Sequence, residues 1–446
     1  MKNLIIRNGT VVGPDGIRIA DVALEHGRIV EISASLAGQA NEEMDASGLY
    51  IFPGFVDSHV HFNEPGRADW EGLESGPRAL AAGGGTVFFD MPLNSSPAVL
   101  DAESLLLKRR IAEEKSVADF ALWGGLCPGH TDGIPKMAEA GAVGFKAFMC
   151  PSGIDEFPHS DAKTLREGMI RAQSVGRPVA VHAEDPAIVT AKTIAGHSLR
   201  EFFACRPISA EVSAIRLACE LAGETGASLH VVHVTCAEGL REIAAARKAG
   251  VRVTAETCPH YLLFDADRGS EIGSRAKCAP PLRSRADVEA LWVALDDGLV
   301  DTVGSDHSPA PPEMKTGDDF FKIWGGISGC QHGFAALLGE IFHYHPNGLG
   351  RAAGWLSGRP AERFGIAGKG RVEEGFDADL TLVSFGHPGE AAPPLYRHRD
   401  HLYEFHRPRC RVHHVLRRGD FLVRDSRVME PSSRGRFLMP TLPPIP

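Results

Sequence analysis

The sequence predicts an α/β protein, a (β/α)8 barrel of the TIM type carrying a small β-sandwich domain formed by both chain ends. Three observations lead there. Through the middle of the chain, short apolar runs alternate with segments of helical spacing, the pattern of a parallel sheet with crossover helices. The runs number eight, the count that closes a barrel. Histidine, aspartate and one lysine fall near the C-terminal ends of these runs, the end at which such barrels do chemistry.

Taken in order, the N-terminal segment reads as the short strands NLIIR, TVV, DVALE and RIVEIS, separated by the turns Asn8-Gly9, Pro14-Asp15-Gly16 and His26-Gly27. Barrel strands follow in GFVDSHVHF, GGTVFFDMP, DFALWGG, AVGFKAFM, PVAVHAE, SLHVVHV, RVTAETC and VDTVGSD. Helices are expected in ESLLLKRRIAEEK, DAKTLREGMIRAQSVG, AEVSAIRLACELAGETG, AEGLREIAAARKAG and RADVEALWVALDDG. Several of these stop at glycine after a basic last turn, as helix C-termini favour. Strands return in DADLTLVSF, RVHHVLRR and FLVRD. Residues 1–52 with 370–446 are therefore expected to form the sheet domain and residues 53–369 the barrel. The closing MPTLPPIP is too rich in proline for regular structure, and is expected as a tail or an arm on a neighbour.

Composition narrows the function. A chain of 446 residues with 43% apolar and 23% charged residues is ordinary for a globular protein. Its net charge of −10 comes with no basic run, which argues against nucleic acid and for a small-molecule ligand. Nine cysteines without a CxxC pair suit a reducing cytoplasm. MKNLIIRNGTVV is broken by Arg7 and Asn8-Gly9, so it does not read as a signal peptide. No stretch approaches the roughly 18 apolar residues of a membrane helix.

The chemistry gathers at strand ends. His59 and His61 are two apart in one strand and point the same way. His182 ends the fifth run, His230 and His233 lie in the sixth, and Asp306-His307 end the eighth. Imidazole nitrogen and carboxylate oxygen are ligands for borderline divalent metals, and a catalytic site leaves a position open for water. Each histidine alone reads equally as a hydrogen-bonded structural residue. Their joint placement at one end of successive strands favours metal. Lys146 is the odd member, an ammonium inside a run that otherwise reads as a buried strand.

Together GFVDSHVH, GFKAFM, VAVHAE, HVVHVT, AETCPHYL, KCAPPLR and VGSDHSP resemble the cyclic-amidohydrolase branch of the amidohydrolase superfamily, which contains dihydroorotases, hydantoinases and allantoinases. The motifs follow the family's order along nearly the whole chain. The resemblance implies that His59, His61 and Asp306 bind a more buried metal and that His182 and His233 bind a more exposed one. His233 is preferred to His230 because it stands before the VT dipeptide, and residues three apart on a strand face opposite ways. The resemblance also implies that Lys146 carries CO2 as a carbamate bridging both ions. Elementary chemistry agrees, because an ammonium beside two dications is repelled and has no lone pair to donate. A buried lysine also becomes neutral readily. Zinc is the expected metal, with cobalt, manganese or iron as alternatives. His260 and His307 are read as structural or supporting residues.

The implied reaction is hydrolysis of a cyclic amide by a metal-bridging hydroxide, with Asp306 as base and then acid. Dihydroorotases carry an arginine where this chain has Asn63, and hydantoinases carry a tyrosine after the lysine that FMCPSG lacks. HFNEPGRADWEG, GGGTVFFDMPLNSSP, GFKAFMCPSG, SDHSPAPPEMK and WGGISGCQHG are similar to allantoinase signatures, which implies opening of allantoin to allantoate. A hydantoinase or dihydropyrimidinase of broader specificity is the alternative, and a dihydroorotase a weaker one. Candidate substrate contacts are Asn63, Arg67, Asn94, and backbone groups of Ala279 and of the Gly325-Gly326 turn. Arg67 reads equally as a brace to Glu64 or Glu71, and Asn94 as a turn cap. Ala310 departs from the cysteine frequent in allantoinases. The family also implies a homotetramer. A scaffold that has lost its metals is disfavoured, since all six ligand positions are filled.

Overall fold

Eight short parallel strands line the centre of the chain, in a computed structural model that describes residues 2–13, 16–191, 197–345 and 348–441. They are β1 (Phe55–Val60), β2 (Gly85–Asp90), β3 (Asp119–Leu122), β4 (Phe145–Phe148), β5 (Val179–His182), β6 (Leu229–Val231), β7 (Val253–Thr257) and β8 (Thr302–Val303). Each pairs with the next, Gly124-Gly125 extending β3 to reach β4. The ring closes where Val60, at the end of β1, bridges His307 beyond β8. The strands are buried almost throughout, as sheets covered on both faces must be, and their runs are correspondingly apolar.

The helices expected from spacing are present, and their ends follow from side-chain chemistry. Asp101 caps Ala102–Lys115 and Ser284 caps Arg285–Asp296, each in a reciprocal box with the residue three positions on. Ile208–Thr225 stops at Gly226, whose φ of 68° is the left-handed conformation that a helix end favours.

Among the described residues, both chain ends build one sheet of nine strands. The N-terminal strand Tyr50–Pro53 pairs antiparallel with Leu380–Phe385, and Ile6, Val22, Ile51, Leu380 and Leu416 share a single core. Gly54 then leads directly into β1. Its backbone N–H donates to Asp379 at 2.8 Å, and a Cβ there would collide with Thr86. The approach of sheet to barrel therefore depends on a glycine.

Of the closing MPTLPPIP, the described Met439, Pro440 and Thr441 form no regular element. Phe120 donates to the Arg436 carbonyl at 2.9 Å, Leu438 to Phe120 at 2.7 Å and Thr441 to Gly365 at 2.8 Å. Residues 436–441 thus lie against the barrel of their own chain, with Phe120 of β3 and Gly365 as their partners. The Pro14-Asp15 turn and residues 442–446 lie outside the described residues.

Candidate active site

The C-terminal ends of the strands bring the expected side chains together. His59 Nε2 lies 3.2 Å and His61 Nε2 3.4 Å from Asp306 Oδ1. His182 Nδ1 lies 3.1 Å from His233 Nε2. The rings of His59 and His233 are 5.5 Å apart, so the two groups form one cluster. His233 and Asp306 reach it with left-handed backbone, φ of 43° and 46°, as do Asn63 and Asn94 with 67° and 68°. Such conformations cost non-glycine residues about 1–3 kcal/mol each and concentrate at functional sites. His233 is thus not an inward strand position. Strand β6 ends at Val231, and a turned backbone aims the imidazole. His230 stays in the barrel wall, bonded to Thr254 at 2.8 Å.

Two buried glutamates, unread in the sequence, set the imidazole tautomers. Glu256 Oε1 accepts from His59 Nδ1 at 2.8 Å, which leaves Nε2 as a bare lone pair. Glu184 Oε2 accepts from His182 Nε2 at 2.7 Å and leaves Nδ1 bare. Such carboxylate–imidazole pairs orient metal ligands and raise their basicity. Glu256 is held further by Ser58 at 2.7 Å, and Glu184 by Arg206 at 2.6 Å. Their only sequence signal is an acid inside an apolar strand run, the same kind of signal that exposed Lys146.

Protonation favours ligation. Burial keeps His61, His182 and His233 below the ordinary imidazole range, so they are neutral donors. Burial pushes Asp306 upward, but His59 and His61 outweigh it and bring the carboxyl down to about 2. His59 Nε2 lies 3.2 Å from that carboxylate oxygen, a contact that becomes favourable with either a proton on the imidazole or a cation between the two. The ligand atoms of His59, His61 and Asp306 all lie within 4.8 Å of one another, and their chemistry suits a divalent ion.

Lys146 Nζ is fully buried and has no hydrogen-bond partner among the described residues. It lies 5.2 Å from the Phe148 ring, which stacks on His182. Burial lowers its pKa to about 8, with Asp306 and Glu256 opposing. This buried amine, without a partner among the described residues, stands beside the histidine and aspartate donors whose chemistry suits a divalent ion. His260, also buried, has neither ring nitrogen bonded among the described residues and is pushed down to about 4 by burial. His307 accepts from Gly329 N–H at 3.1 Å and is structural in that contact.

In front of the cluster lies a cavity of about 300 Å³ whose walls include Asn94, Ala279, Gly325 and Gly326. Arg67 and Asn63 do not line it. Arg67 donates to the Asn94 carbonyl at 3.1 Å and pairs with Glu156 at 2.9 Å, so it braces a loop, though through neither Glu64 nor Glu71. Asn63 is buried, with its amide 3.4 Å from the Pro309 carbonyl. Arg206, Lys277 and Trp324 also line the cavity and were not singled out in the sequence.

Residues 50–422 match the amidohydrolase family. A protein of Solibacter usitatus named allantoinase is 50% identical over 86% of this chain and 85% of its own length. One of Rubrobacter xylanophilus with the same name is 48% identical over 98% of each chain. Among solved structures, an L-hydantoinase (dihydropyrimidinase) from Arthrobacter aurescens matches with a TM-score of 0.95 at 30% identity, covering 98% of this chain and all of that one. A dihydropyrimidinase from Brevibacillus agri matches at 0.91 and 29% identity, over 99% of this chain and 100% of its own.

Proposed function

The chain belongs to the amidohydrolase family, and from that membership and the geometry of the barrel mouth we propose that it hydrolyses the hydantoin ring of allantoin to give allantoate. The observation that carries this choice is the 48% identity along the whole length to a protein named allantoinase, against 30% to the L-hydantoinase. The sequence supports it: position 63 is an asparagine where dihydroorotases carry an arginine, and no tyrosine follows Lys146 in FMCPSG.

In this reading His59, His61 and Asp306 would hold one divalent ion and His182 and His233 a second, and Lys146 as its carbamate would complete the donor set of both. The depressed Lys146 pKa of about 8 supplies the neutral amine that adds to CO2, with loss of one proton. Two divalent ions held there, with zinc the first choice and cobalt, manganese or iron compatible with the same donors, would supply the Lewis acidity that makes water nucleophilic and polarises an amide carbonyl. Asp306, anionic at neutral pH, accepts the proton of the attacking water and returns it to the departing ring nitrogen. Glu256 and Glu184 keep their histidines facing inward meanwhile. Asn94 and the backbone of Ala279 and Gly326 line the space left for the ring.

We also read residues 53–369 as the catalytic barrel and residues 1–52 with 370–446 as the β-rich unit. The chain is read as a cytoplasmic homotetramer, by family resemblance and because its nine cysteines, without a CxxC pair, suit a reducing compartment. No helix among the described residues is long and apolar enough to cross a membrane.

The test is a substrate panel with divalent metal and bicarbonate supplied and metal content measured on the same sample. Allantoin should be opened to allantoate, with dihydroorotate a poor substrate. Hydantoin or dihydrouracil opened faster than allantoin would favour the second reading, a hydantoinase, which the structural likeness to the Arthrobacter enzyme supports. No ring opening on any member of the panel would refute both.

A further inference from the structure

Three basic side chains wall the cavity, and two of them are already committed. Arg206 gives Nε and Nη2 to Glu184 at 3.0 and 2.6 Å. Lys322 is exposed and pairs with Asp319 at 3.2 Å. Lys277 differs from both. Its side chain is 5% exposed, yet it makes no ion pair among the described residues. Its Nζ donates to the Ile323 carbonyl at 2.5 Å and lies 4.5 Å from the Phe202 ring centroid. An ammonium has three N–H donors, and the carbonyl takes one.

The lysine is laid along the turn that walls the cavity. Gly326 N–H donates to the Lys277 carbonyl at 2.8 Å. A Cβ on Gly325 would sit 3.8 Å from both Cγ and Cε of Lys277. Around the ammonium stand the Ile323 carbonyl and the Phe202 ring, neither of them part of the histidine and aspartate cluster. Lys277, Ile323 and Phe202 line the same cavity as that cluster, so a substituent on a ring bound at the cluster has this wall within the cavity to meet.

We propose that the Lys277 ammonium and the Ile323 carbonyl form a paired donor–acceptor subsite for the urea group that allantoin carries on its ring. The inference rests on the allantoin reading and deepens it to a named contact. A urea presents C=O and N–H side by side. Lys277 donates to the oxygen, while the second lone pair of the Ile323 carbonyl accepts from the nitrogen. A carboxylate arm would meet the lysine but face the carbonyl oxygen, with which it is repulsive. An alkyl arm would leave a buried charged donor short of an acceptor, the arrangement by which polar sites reject analogues.

The experiment compares wild type, Lys277→Met and Lys277→Arg on allantoin, 5-methylhydantoin and hydantoin-5-acetate. A compound that is not opened is measured as a competitive inhibitor of allantoin opening. Lys277→Met should lose about 10- to 100-fold in kcat/KM on allantoin, chiefly through KM, as expected for a charge-assisted hydrogen bond. The methyl compound should change less than about threefold on the same basis. Lys277→Arg should retain more of the allantoin preference. Equal losses on all three compounds with metal content unchanged would overturn the subsite and leave Lys277 as a loop brace. A wild-type preference for the acetate arm that vanishes with the lysine would overturn it in favour of an anion site. Metal-loaded wild type that leaves allantoin intact would fail the functional reading before any variant is compared, and the subsite with it.

Discussion

At the scale of single residues, Lys146 carries the strongest consequence. Its amine is fully buried, lacks a partner among the described residues and is drawn toward neutrality by burial, so an ordinary ion-pair role is excluded there. If it is the carbamate bridge, Lys146→Ala should lose bound metal and at least ~100-fold in activity, since even an outer partner of a metal ligand is worth 10- to 100-fold. A short carboxylic acid should restore part of both by occupying the vacated space. An alanine variant that stays active with two ions bound would refute the bridge. Glu256 and Glu184 give a finer test, because each holds one histidine of a different group. Glu256→Gln should weaken the ion assigned to His59, His61 and Asp306, and Glu184→Gln the ion assigned to His182 and His233, each by about 10- to 100-fold. Stepwise chelator release with metal counting checks this, and simultaneous loss of both ions in either variant would contradict the assignment.

At the scale of elements, the barrel strands were legible because both of their faces are buried and their runs are apolar. Alternation along a strand explained His59 and His61 but not His233, which stands past the end of β6 on a left-handed backbone. Spacing cannot report a positive φ at a non-glycine residue, because tertiary contacts impose it. The two glutamates were hidden for a related reason, since an acid in an apolar run declares itself only once its imidazole partner is known. Strand β8 shows how tightly these elements are fitted. A Cβ on Gly304, just beyond it, would lie 2.8 Å from Glu256 Oε2, 2.9 Å from its Cδ and 3.0 Å from His59 Cβ. Gly304→Ala should therefore push apart the Glu256–His59 pair, lowering stability by about 1–3 kcal/mol as overpacking does, and reducing metal content. Thermal unfolding and metal analysis of the variant test this, and an unchanged melting temperature with full metal would show that the wall yields there without cost.

At the scale of the whole molecule, the sequence predicted the sheet from both chain ends but not its attachment to the barrel, because the attachment joins residues far apart in the chain. Lys369 and Asp119 are 250 positions apart. Lys369 Nζ lies 2.7 Å from Asp119, at the start of β3, and 2.8 and 3.0 Å from Asp379 and Asp377, just before the strand Leu380–Phe385. Arg418 also pairs with Asp119, and its backbone N–H donates to Asp379 at 2.7 Å. Burial raises the Asp119 pKa, but Lys369 and then Arg418 outweigh it and hold the folded-state value below the ordinary range, while burial leaves Asp379 above it. A carboxylate depressed in the folded state contributes stability that is present above its unfolded pKa of about 4 and lost as pH falls through the folded value. Replacing Lys369 by methionine strands these buried carboxylates, at a cost of about 3–5 kcal/mol. It also raises their pKa values, so protonation relieves the stranded charge as the solution is acidified. The stability gap between wild type and Lys369→Met, measured by denaturant unfolding, should therefore be widest near pH 8 and narrower at pH 5. A gap that is constant or widens toward acid would mean that the cluster does not bind sheet to barrel through these charges.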